Sequence, residues 1–232
     1  MPETDFTDSL ILVLHGVGGR GAHLVLHGVG GRGAHLVLHG VGGRGAHLEA
    51  LAEMIAPSLP GARLICPDAP LRYDWDDTGR QWFSVKDISP RNRPARLRAA
   101  RAGFDAVLAR EIAAAGFADR LNRVALVGFS QGAIMATDAV MSGRWPVAGL
   151  AALSGRLVKC GPVAAHQVPV MLSHGRDDPV IPASDAIKAM AHWQSQGHVC
   201  DLHLWQGLGH WFDTRTAAVT ANFLRRCLLR TA

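Results

Sequence analysis

Short apolar runs recur along the whole chain, separated by longer stretches whose apolar residues fall at helical spacing, and this alternation restricts the fold most. Strands are expected at 9–14 (SLILVL), 62–67, 123–129 (RVALVGF), 147–153, 168–173 and 200–205. Helices are expected at 48–59, about 95–115, from Gln131 onward, about 183–196 and about 214–229. Segment 68–94 shows no period and reads as a long connection. Apolar strands taking turns with helices build a mostly parallel sheet covered on both faces, an α/β fold. At 232 residues, 48% apolar and 19% charged, the chain suits one such domain with a proper core.

Within that frame, VALVGFSQGAIMATDAV places Gly128-Phe129-Ser130-Gln131-Gly132 between a strongly apolar strand and a helix. A serine at so tight a corner takes strained backbone angles, and the flanking glycines let neighbouring backbone pass close by. The helix beginning just after Ser130 aims unpaired N–H groups at any negative charge developing there. A serine nucleophile needs a base, and the base needs an orienting carboxylate. In α/β hydrolases these follow in the order Ser, acid, His. HGRDDP puts Asp177 and Asp178 in a loop just after a strand, and GLGHW puts His210 in the loop after the next. Both loops leave carboxyl ends of strands, where open α/β sheets assemble their sites. Asp178 is preferred because Pro179 stiffens its loop; Asp177 is the rival. His174 precedes both and breaks the order, and His203 sits inside a strand.

LHGVGG, PDAP, RQWFSV, GFSQGA, LSGRL, HGRDDPVIP and GLGHW stand in the order expected of the phospholipase/carboxylesterase family. The chain resembles these small α/β hydrolases over nearly its whole length. The resemblance implies an α/β-hydrolase fold with no large cap domain. It also implies Ser130 as nucleophile, Asp178 as acid and His210 as base, cleaving carboxylic esters, thioesters or lysophospholipids through an acyl-enzyme. The oxyanion hole is implied to come from the backbone N–H of Gln131 and of the residue after the HG of LHGVGG. No metal or organic cofactor is implied. Trp75, Trp82, Phe83 and Trp211 are then candidates for the wall of the acyl pocket, with ordinary packing as the alternative.

The family has one LHGxG loop; here LVLHGVGGRGAH stands at 12–23 and again, unchanged, at 24–35 and 36–47. Only one copy can hold its N–H about 3 Å from an oxyanion at a time, so Val17, Val29 and Val41 compete. The third copy runs straight into the helix at 48–59, which favours Val41 and leaves 1–35 as an N-terminal extension of a domain at 36–232. The first copy has the better strand, but using it inserts 24 residues between loop and helix, at a closure cost of roughly 3 kcal/mol. Two further buried apolar residues, at ~1.5–3 kcal/mol each, oppose that cost. Identity over 12 residues fits a recent in-frame duplication better than a repeat fold, whose units drift. The extra LVL runs could pair at sheet edges and favour a homodimer. A rival reading makes the protein a crippled hydrolase whose extra copies displace the oxyanion loop.

Other function classes fare worse. GVGGRG matches a dinucleotide fingerprint, yet the next strand ends in CPDAP, with Asp68 beyond a proline, and a Walker lysine is missing. The net charge of +5 falls to +3 without two repeat units, each of which carries one Arg, and no basic stripe interleaved with aromatics argues for nucleic acid. The substrate expected is a small-molecule ester. No signal peptide is visible at the start, no run approaches ~20 apolar residues, and Cys66, Cys160, Cys200 and Cys227 lie far apart. A cytoplasmic protein without membrane insertion is the expectation.

Overall fold

The computed structural model describes residues 8–17, 47–164 and 168–229. Its elements follow in the order β1 (Leu10–Leu14), α1 (His47–Ile55), β2 (Arg63–Ile65), β3 (Leu71–Tyr73), β4 (Asp76–Gln81), α2 (Arg93–Ala114), β5 (Val124–Phe129), α3 (Gln131–Met141), β6 (Gly149–Leu153), β7 (Val170–Gly175), α4 (Ala183–Ser195), β8 (Cys200–Trp205) and α5 (Thr214–Leu229). Among the described residues, six strands form one sheet in the order β2-β1-β5-β6-β7-β8, and every pairing in it is parallel. Among the described residues this is the α/β-hydrolase architecture, with no cap domain.

Successive side chains on a strand point to opposite faces, and β1 feeds two cores accordingly. Leu10, Leu12 and Leu14 pack with Leu126, Leu150, and Phe104 of α2 on one face. Ile11 and Val13 pack with Ala125 and Val127, with Leu51 of α1 and with Leu224 of α5 on the other. A strand buried on both faces must be apolar at every position, and all five residues of β1 are.

The first repeat copy meets that requirement. β1 is the strand of the first copy, paired with β2 on one side and β5 on the other. Leu10 and Ile11, just ahead of that copy, are wholly buried. Ahead of the second copy the same positions read Ala22 and His23, and ahead of the third Ala34 and His35. Either later copy would lose a leucine from one core and press an imidazole into the other. Of the expected extension at 1–35, residues 10–14 pair within the sheet; the repeat residues after Val17, Val29 and Val41 among them, lie outside those described.

Segment 68–94 also differs from expectation, because β3 and β4 pair there as an antiparallel hairpin. Its strands are mostly exposed and polar, so no hydrophobic period announces them. Asp74 ties the hairpin to the turn after it, accepting from Gln81 Nε2 through Oδ1 and from Ser84 Oγ and the N–H groups of Val85 and Lys86 through Oδ2. Partial burial pushes its carboxyl up, but these donors outweigh that and hold it below the usual carboxylate range. Among the described residues, no helix is long and apolar enough to cross a membrane.

Candidate active site

Ser130 follows β5 and precedes α3 with φ 53° and ψ −115°, a left-handed backbone that a non-glycine residue rarely adopts. The two glycines around it are required by close contacts. A Cβ on Gly128 would lie 2.6 Å from the Ala133 backbone, and one on Gly132 would lie 2.2 Å from the Leu14 carbonyl oxygen. The end of β1 thus crosses directly over the first turn of α3. Gly16 of the first copy abuts the serine, since a Cβ there would lie 3.1 Å from Ser130 Cβ. Gly16 therefore brings Val17, the next residue of the first copy, to the serine turn; Val41 lies outside the described residues.

His15 fixes this loop from below. The Ala69 N–H donates to its Nε2 at 2.9 Å, so the ring proton sits on Nδ1, which donates to the Gly16 carbonyl at 2.6 Å. Holding that carbonyl back orients the Gly16–Val17 peptide, whose N–H points the opposite way. Gln131 adds a second brace: its side chain accepts from the Trp82 N–H and donates to the Phe83 carbonyl, both at 2.7 Å. Its own N–H is among the free donors of the first helical turn.

The carboxyl ends of β7 and β8 bring the remaining groups. His210 Nε2 lies 3.0 Å from Ser130 Oγ, and its Nδ1 lies 2.7 Å from Asp178 Oδ2. The other carboxylate oxygen accepts the N–H groups of Val180 and Ile181, each at 2.8 Å. The Asp178 side chain is fully buried, while that of His210 is 14% exposed, so the imidazole opens toward solvent and the acid does not. Asp177, the rival acid, instead accepts the Gly207 N–H at 2.9 Å and ties the acid loop to the base loop. Gly175 lets the two loops meet, because a Cβ there would lie 2.1 Å from the Leu208 carbonyl oxygen.

The four aromatics fare unequally. Trp82 is 1% exposed, donates from Nε1 to the His15 carbonyl and packs on Phe104; Phe83 is buried too. Both belong to the hydrophobic core, the packing alternative for these two residues. Trp75 is 63% exposed beyond β3, edge-on to Tyr73. Trp211 is half-buried beside the base and stacks on Phe212. Two contacts were not foreseen from the sequence: His15 as the brace of the loop, and His174, whose Nε2 lies 3.1 Å from Asp178 Oδ2. A histidine closing an apolar strand was the available signal for both. Among the described residues, no three His, Cys, Asp or Glu side chains gather as metal ligands would.

The Phospholipase/Carboxylesterase family profile matches residues 24–228. The chain belongs to that family. Among its curated relatives, esterase YpfH of Escherichia coli K12 is 33% identical over 147 residues, covering 63% of this chain and 62% of that protein. Carboxylesterase SOBER1 of Arabidopsis thaliana is 26% identical over 183 residues, 76% of this chain and 78% of that one. The crystal structure of esterase PE8 superimposes with a TM-score of 0.76 at 28% identity, covering 95% of this chain and 93% of that one. The family match begins at the second repeat copy, whereas the fold draws its strand from the first. Identical copies offer an alignment equal choices, and burial of the flanking residues separates them.

Proposed function

We propose that this family member is a serine carboxylic-ester hydrolase working through an acyl-enzyme. His210 Nε2 takes the Ser130 proton as Oγ attacks the ester carbonyl, and Asp178 stabilises the imidazolium through the Nδ1 hydrogen bond. The oxyanion of the tetrahedral intermediate rests on the N–H groups of Gln131 and Val17, which the serine turn and the His15-braced loop supply. Collapse expels the alcohol, which takes its proton from His210. Water, deprotonated by the same imidazole, then frees the acid and restores the serine. The observation that carries this reading is the continuous contact from Ser130 through His210 to Asp178, at 3.0 and 2.7 Å.

Substrates are small to medium acyl esters, with thioesters and lysophospholipids as the related class. The exposed Trp75 and the half-buried Trp211 are the aromatics proposed to meet an acyl chain. Four cysteines outside any disulfide accord with a reducing, cytoplasmic setting. Hydrolysis of p-nitrophenyl butyrate tests the proposal. Ser130→Ala is expected to lower kcat at least ~10³-fold while the protein stays folded. Turnover that survives this substitution, or a folded protein without turnover on p-nitrophenyl esters from short to long chains, would overturn it.

A further inference from the structure

We infer that His174 is a positioning residue for the triad acid, acting through Asp178 and the loop that carries it. The inference rests on the serine-hydrolase reading above. His174 closes β7, is buried, and directs Nε2 to two acceptors: the Ile181 carbonyl at 2.8 Å and Asp178 Oδ2 at 3.1 Å. A carbonyl can only accept, so the ring proton sits on Nε2. Ile181 in turn donates its N–H to Asp178 Oδ1. One imidazole therefore pins the loop at residue 181 and lies against the same oxygen that His210 uses. Two backbone donors hold Oδ1, and an imidazole on each side flanks Oδ2. The carboxylate has no second orientation open to it, and Oδ2 stays aimed at His210 Nδ1.

The other ring nitrogen supports a role beyond packing. Nδ1 of His174 is buried without a hydrogen-bond partner. An apolar side chain would fill the position without that cost, so the Nε2 contacts are what the imidazole contributes. The ring also lines a small cavity shared with Thr137 of α3, Arg156 after β6, and Ala186 and Ala189 of α4. Arg156 and Asp178 are the charged groups facing it, and Arg156 is itself paired with Asp185 at 3.4 Å. The cavity gives shorter and more flexible polar side chains room to fit.

Two amide substitutions separate positioning from packing. Glutamine carries its amide nitrogen as many bonds from Cβ as histidine carries Nε2, while asparagine reaches only as far as Nδ1. His174→Gln is expected to keep kcat within about threefold of wild type, and His174→Asn to lose roughly tenfold in kcat with KM within about twofold. The proton resonance of His210 Nδ1, which needs no turnover, should persist in wild type and His174→Gln and be lost to exchange in His174→Asn. Equal kcat and equal resonances in the two variants would overturn the inference, as would a loss confined to KM. Should His174→Asn fail to fold, a tenfold loss in His174→Gln overturns it and near-wild-type kcat supports it. Survival of turnover in Ser130→Ala would sink the hydrolase reading alone, because the resonance still ranks the two His174 variants.

Discussion

Gly132 shows how little room the nucleophile turn allows. Its missing Cβ is replaced, at 2.2 Å, by the carbonyl oxygen of Leu14 and, at 2.7 Å, by that of His15. Both neighbours are main chain, so no side chain can rotate away. Gly132→Ala must push β1 from α3, and with it the His15-braced loop that leads to Val17. Overpacking of this kind costs about 1–3 kcal/mol, so the urea midpoint is expected to fall accordingly. The same displacement widens the oxyanion hole, and kcat should drop by more than KM rises. Cys200 contrasts with these site residues: burial and the neighbouring Asp201 push its thiol up to about 12, and it should stay unalkylated near pH 8 in the folded protein.

At the scale of elements, β1 decides the fate of the repeats. With the first copy in the sheet, 29 residues separate Val17 from the start of α1 at His47. Deleting 24–47 joins the first copy directly to Leu48 and leaves five residues before an equivalent helix start at His23. Chain-entropy scaling makes the shorter connection favourable by ~1.5 kcal/mol. The deletion variant should therefore melt about 3–6 °C higher and keep its esterase activity. A lower melting point would show that the added copies make stabilising contacts. Weighing copy against copy, loop closure favoured the third and apolar burial the first. Burial prevailed because the alternative flank is a histidine, which must be stripped of water to occupy the place of Ile11.

Across the whole molecule, the histidines and aspartates that folding perturbs act in one direction with pH. Burial holds His198 below its ordinary value, opposed only by a backbone contact at Ala164, and burial with Lys159 nearby lowers His192. Asp213 is pushed up by burial but lowered further by Arg215 and the Thr216 N–H, and Asp74 is lowered by its own donors. In each case the unfolded chain binds the proton more readily, so stability rises with pH. The histidine contribution is complete above ~6.5 and fades as pH falls through the lower folded value. The two aspartates add a second loss below ~3.9. The urea midpoint should fall in two stages on acidification, first below pH ~6.5 and again below ~3.9; a midpoint rising toward acid would contradict this account.

The parallel sheet, its helices and the meeting of Ser130, His210 and Asp178 were legible in the chain itself. Buried strands must be apolar throughout, and a serine between glycines at a strand-to-helix corner has few other uses. Asp178 could be favoured over Asp177 through Pro179, but only the folded loops show Asp177 spent on the Gly207 N–H. The β3–β4 hairpin was hidden because its strands bury too little to carry a period. The choice among three identical copies and the second imidazole beside Asp178 belonged to tertiary structure alone. Identical segments differ only in what they are packed against, and a contact between residues on separate loops exists only once the sheet has aligned its strand ends.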